Sequence, residues 1–154
     1  MLKPVQEKEL IATLKRLYVK LQERETAAKR HVMADEFIGK LTGDEAVRSI
    51  MKKMLYYLED HLDEGQLLKA LSDYVQLTPN YISRLFSEQF GVNYLQVVTD
   101  MRIGKAKELL VRDLHCKIYE IADQVGYKDS HYFSKLFQQK TGMTPTEYRE
   151  VGER

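Results

Sequence analysis

Two short stretches carry side chains suited to reading a hydrogen-bonding surface. Asn80, Ser83, Arg84 and Ser87 fall on one face of a helix-spaced segment, with Ile82, Leu85, Phe86 and Gln89 on another. Farther along, His131, Ser134, Lys135 and Gln138 form a polar face with Ser130 beside it, while Phe133, Leu136 and Phe137 form the apolar one. A helix anchored by one face and presenting short polar and basic groups on the other suits the major groove of B-form DNA. There Arg84 matches O6 and N7 of guanine, Asn80 matches adenine, the serines permit close approach, and Lys135 reaches guanine or a phosphate. Any one of these residues alone is ordinary, since an arginine on a polar face is usually only solvated. Duplication gives them weight: Ser-basic-Leu-Phe stands at 83–86 and again at 134–137. For Tyr81 and Tyr132, packing at the helix edge is favoured over base contact, with a phosphate hydrogen bond as a third option.

Catalytic readings find little. His31, His61, His115 and His131 are scattered without ligand spacing, and Cys116 is the only cysteine, so disulfides and cysteine-based zinc sites are excluded together. Ser49-Ile50-Met51-Lys52 matches a Ser-x-x-Lys pattern but sits in an amphipathic segment without a companion motif. Neither a G-x-G-x-x-G nor a P-loop occurs. The expectation is a protein that is not an enzyme and has no metal and no cofactor.

The elements that hold the two polar faces repeat. Leu71-Ser72-Asp73-Tyr74-Val75 aligns with Ile121-Ala122-Asp123-Gln124-Val125, Tyr81-Ile82-Ser83-Arg84-Leu85-Phe86 with Tyr132-Phe133-Ser134-Lys135-Leu136-Phe137, and Gly91 with Gly142. Each copy reads as a helix, a tight turn and a second helix closed by glycine, a helix-turn-helix written twice. Thr78-Pro79 and Asp129 supply helix starts, and Asn93 with Gln96 and Thr144-Pro145 with Glu147 resemble capping boxes. One helix from about Asn93 to Val111 connects the copies, with a length of roughly 28 Å. That nearly matches the roughly 34 Å between successive major grooves on one face of DNA.

Ahead of the repeat, Leu10, Leu14, Leu17 and Leu21 recur at steps of four and three, a two-heptad seam. Such a seam serves either homodimerisation or a helix lying on a neighbouring domain. Val47, Ile50, Met54, Leu58 and Leu62 mark a further amphipathic helix ending near Gly65, and Thr42-Gly43-Asp44 separates it from the segment before it. The expected division is a helical linker over 1–43 and a DNA-binding domain over 44–154. The fold class is all-α: two helix-turn-helix subdomains joined by a linker helix and preceded by a long N-terminal helix.

Composition bounds the rest. The 154 residues are 44% hydrophobic, enough for a core. Uncharged stretches are short, the longest being Gln89 to Thr99, and Tyr74 to Ser83 contains Pro79, so no membrane partner is expected. Residues 1–30 show no secretion signal, which makes the cytoplasm the expected location. The formal net charge is only +1, so contact with DNA rests on local placement of a few bases and a shallow salt dependence.

Residues 45–150 resemble the AraC/XylS-type DNA-binding domain, most strongly over KIYEIADQVGYKDSHYFSKLFQQKTGMTPTEYR, Lys117 to Arg149. RIGKAKELL, Arg102 to Leu110, is similar to that family's linker helix. The resemblance implies a seven-helix, two-lobed domain of a bacterial transcription regulator, with double-stranded DNA as its partner and RNA polymerase as a further one. It carries base-reading roles onto Asn80, Ser83 and Arg84, and onto Ser130, His131, Ser134 and Lys135. One departure is Gln76, which stands where the second copy has Gly126, so the two turns are expected to differ in backbone. Leu2-Lys3-Pro4-Val5 with KELIATLKRL resembles the end of a response-regulator receiver domain, and VMADEFIGKLTGD resembles the linker joining one to an AraC-type domain. That resemblance implies a chain beginning near the receiver's last helix, with the phosphoacceptor aspartate upstream. The rival reading is a helical protein–protein adaptor that binds no DNA, which the near-neutral charge favours and the repeated polar faces disfavour.

Overall fold

The structure, a computed structural model, describes residues 4–29 and 31–153, with side chains over 6–18 and 31–153. Its helices are α1 (Pro4–Lys29), α2 (Val32–Ile38), α3 (Glu45–Asp60), α4 (Leu67–Val75), α5 (Pro79–Phe90), α6 (Tyr94–Arg112), α7 (Ile118–Gln124), α8 (Ser130–Thr141) and α9 (Pro145–Gly152). No strand occurs among the described residues. The chain divides into two units, residues 1–32 and 33–154.

The first unit is α1. Its expected seam is open along the described part, with Leu10, Leu14 and Leu17 about half exposed. The side chain of Leu21 and the Leu2-Lys3 pair lie outside the described residues.

The second unit starts at Met33, not at the expected break before residue 44. The reason is a long-range cap. The carboxylate of Glu59 on α3 accepts the backbone N–H of Ala34 at 2.7 Å and of Met33 at 3.3 Å, taking up donors that the first turn of α2 cannot satisfy itself. Ala34 and Leu41 are buried, and Phe37 packs edge-on against Phe90 at 5.3 Å. Gln89 then pins the next loop by accepting the N–H of Thr42. Residues 33–43 thus belong to the same core as the helices from α3 onward, although the residue pattern places them in the linker.

Two cores share one helix. The first gathers Met51, Met54, Leu55 and Leu58 of α3, Leu71 of α4, Ile82 and Phe86 of α5, and Val97 and Met101 of α6. The second gathers Ile103, Ala106 and Leu110 of α6 with Ile121, Ala122, Phe133 and Phe137 of α7 and α8. The changeover from Met101 to Ile103 spans two residues, about 200° around a helix, so α6 is apolar toward one lobe and then toward the other. Burying a Phe such as 86 or 137 contributes about 2–3 kcal/mol. Asn93 caps α6 and forms a reciprocal capping box with Gln96, as expected, and the helix has 19 residues, about 28 Å. Thr144 and Glu147 do the same for α9. Arg149 of α9 ties down the turn after α6 by donating to the carbonyls of Cys116 at 2.6 Å and Leu110 at 3.3 Å. One boundary differs: α3 stops at Asp60, short of Gly65, and the turn after it serves the seam between the lobes.

Candidate nucleic-acid interface

The first polar face is built by a turn that closes itself. After Val75 the chain passes through left-handed backbone at Gln76, φ 56°, whose Nε2 donates back to the carbonyl of Asp73 at 2.6 Å. Ser72 Oγ donates to the carbonyl of Leu77 at 2.5 Å, closing the turn from the other side. Thr78 then accepts the N–H of Tyr81 and Pro79 takes the first helical position, where a missing N–H costs nothing. With Ile82, Leu85 and Phe86 buried, α5 shows Asn80, Tyr81, Arg84 and Ser87 to solvent and leaves Ser83 half-buried beside them. Arg84 is held in place: its Nε donates to Oε1 of Glu88, one turn on, at 2.7 Å. That hydrogen bond, more than any other influence, keeps its guanidinium above even the usual arginine range.

The second face is built by different local means. Asp129 accepts the N–H groups of His131 at 2.9 Å and Tyr132 at 3.1 Å, and α8 buries Phe133 and Phe137. His131, Tyr132, Lys135 and Gln138 are exposed, while Ser130 and Ser134 are half-buried. Tyr132 is more than half exposed, with its ring centroid 5.9 Å from that of Tyr127.

The turns differ less in backbone than expected. Gln76 and Gly126 both have positive φ, 56° and 96°. Gln76 sits in the left-handed basin open to an ordinary residue, whereas Gly126 lies beyond it. The sharper distinction is space. A Cβ on Gly126 would stand 2.2 Å from the carbonyl oxygen of Leu62 and 2.9 Å from the Arg102 guanidinium. The second turn therefore presses directly on the loop after α3.

That contact is the seam between the lobes, and Arg102 of α6 organises it. Its Nε donates to Leu62 O at 3.0 Å and its Nη2 to Glu64 O at 3.4 Å, both in the first lobe. Its guanidinium also lies over the ring of Tyr127 in the second lobe, 5.2 Å from the centroid. Burial raises the pKa of the Tyr127 hydroxyl, with nearby Arg102 acting against it. Lys140 of α8 adds an ion pair to Asp100 of α6 at 3.1 Å. Residue pattern alone assigns Arg102 no role. Its only signal is a basic residue at the changeover of an otherwise two-sided apolar helix.

Among the described residues no group of three or more His, Cys, Asp or Glu is placed to hold a metal, and no helix is long and apolar enough to cross a membrane. A family model described as a helix-turn-helix domain matches residues 71–150. The chain belongs to the AraC-type helix-turn-helix family. It is similar to the arabinose operon regulatory protein of Escherichia coli, 33% identical over 100 residues, covering 64% of this chain and 34% of the relative. It is also similar to the C-terminal domain of the two-component response regulator yesN from Fusobacterium nucleatum, with a TM-score of 0.60 and 32% identity, covering 66% of this chain and 98% of that one. The fold is shared with the DNA-binding domain of AdpA, solved in complex with a target DNA, at a TM-score of 0.58 and 20% identity, covering 70% and 93%. The chain spans about a third of the length of the curated relatives it matches.

Proposed function

We propose that this AraC-type chain regulates transcription by binding double-stranded DNA sequence-specifically, with α5 and α8 reading adjacent major-groove segments of one site. The observation that carries this reading is the twofold construction: two capped second helices, each anchored by buried aromatics and each open on its polar face, on lobes joined through α6 and Arg102. Asn80, Ser83, Arg84 and Ser87 serve one segment, and Ser130, His131, Ser134 and Lys135 the other. The role is binding without catalysis, in the cytoplasm where bacterial DNA is, and RNA polymerase is the partner through which a bound regulator acts.

Alanine at Arg84 or Lys135 tests this. A base-reading role costs about 1–3 kcal/mol on the selected duplex and much less on unrelated DNA. Equal weakening on all duplexes would assign the residue to phosphates instead, and no complex with mixed duplex at low salt would favour the adaptor.

The similarity to a response-regulator C-terminal domain supports this chain being the effector part of such a regulator, with an upstream receiver whose phosphorylation alters pairing or releases the lobes. The half-exposed Leu10, Leu14 and Leu17 support α1 as the pairing element between protomers, with Leu21 continuing the seam. Sedimentation of a Leu14→Asp, Leu17→Asp variant checks this: the mass should fall to that of a monomer, and an unchanged mass removes α1 from the account.

A further inference from the structure

Glu88 differs from the other polar residues of α5 in what it touches. It engages the side chain best suited to a guanine, and does so through Nε alone at 2.7 Å. We propose that Glu88 is a positioning residue that presents Arg84 end-on to a guanine and so makes the first lobe the stricter of the two readers. The inference rests on the DNA-reading function above and deepens it.

The guanidinium offers its N–H donors in a rigid planar fork, one on Nε and four on the two terminal nitrogens. A carboxylate on Nε fixes the plane of the fork and leaves the terminal pair to meet O6 and N7. A long side chain already held in its bound geometry loses less freedom on binding.

Helix stability does not account for the pair. The two side chains are 71% and 52% exposed, where an ion pair contributes little, and a base preceding an acid by four residues is the less favourable order along a helix. The carboxylate also disfavours the competing use of Arg84, because a negative group beside it repels the phosphate backbone. Specificity gains where a non-specific contact is penalised.

The second lobe lacks this device. Lys135 stands where the first lobe has Arg84, and Gln139 stands where it has Glu88. A flexible point charge without a carboxylate one turn on accepts guanine or phosphate alike.

The experiment uses the full 154-residue chain, a duplex selected from a random pool, and that duplex with each base pair changed in turn. Arg84→Ala first identifies the pair it reads, as the position where base preference disappears. At that pair Glu88→Ala, which removes the acceptor as well as the charge, should cut the preference about tenfold, leaving the melting temperature and the pairs read by the second lobe unchanged. Affinity for unrelated duplex should hold or rise, because a repulsive charge is gone. In an Arg84→Ala background the same substitution should have no effect at that pair. An undiminished preference in Glu88→Ala, equal loss on every duplex, or the same loss without Arg84 overturns the proposal. If Arg84→Ala erases no base preference, the failure lies in the assignment of Arg84 to a base, and the role of Glu88 falls with it.

Discussion

Replacing Gly126 with alanine puts one methyl group into the seam between the lobes, where two costs can be separated. The first is conformational: φ of 96° is a backbone state that L side chains rarely adopt, worth about 1–3 kcal/mol. The second is steric. The new Cβ would lie 2.2 Å from Leu62 O, well inside ordinary contact, which begins at 3.4 Å, and the obstacle is backbone that cannot swing aside. Overpacking of this kind costs about 1–3 kcal/mol more. Gly142 is the matched control, with φ 81° and no atom within 4 Å of its would-be Cβ, so alanine there pays only the first cost. Guanidinium unfolding of both variants should show Gly126→Ala the less stable by about 1–3 kcal/mol, within a typical total of about 5–15. Because relief requires the turn to back away from Leu62 and Arg102, affinity for a complete site should fall more than affinity for either half alone. Equal stabilities for the two variants would refute the claim that this contact sets the seam.

Two further outcomes concern single groups. Glu59→Gln keeps one acceptor for the first turn of α2 but removes the charge, and should destabilise the chain by about 1–2 kcal/mol on chemical denaturation; an unchanged midpoint would count against the cap. Tyr94 buries a hydroxyl that finds no hydrogen-bond partner among the described residues, and burial pushes its pKa up. Tyr94→Phe should therefore be neutral or stabilising by up to about 1 kcal/mol in the same assay, and a marked loss would reveal a partner for that hydroxyl.

The features legible in the sequence were local. Thr78, Asp129, the Asn93–Gln96 pair and the Thr144–Glu147 pair each cap a helix within three residues of themselves, so spacing alone exposed them. The repeat placed α5 and α8, and alternation with helical period separated their buried and open faces. The features that escaped were set at a distance. Glu59 claims α2 from 25 residues away, which is why the unit begins at Met33. Arg102 grips carbonyl oxygens 38 and 40 residues back, and a carbonyl leaves no mark on residue type. The residue pattern runs α3 on toward Gly65, whereas the residues after Asp60 turn and offer those oxygens. The Arg84–Glu88 pair is the intermediate case: its spacing is visible in the sequence, but the use of Nε alone is visible only in the structure.

Under the proposed two-helix reading of DNA, a continuous α6 has a consequence for the promoter side. One unbroken helical rod, braced at its midpoint, acts as a ruler rather than a hinge. Inserting a single base pair between the two elements of an operator would move the second by about 3.4 Å and rotate it by about 35° around the duplex axis. A pair of modules on a slack string would absorb that offset, but a ruler has to distort the duplex or release one element. The elements read by a single chain should thus keep one fixed phase, and any tolerance in operator layout should fall between neighbouring protomers.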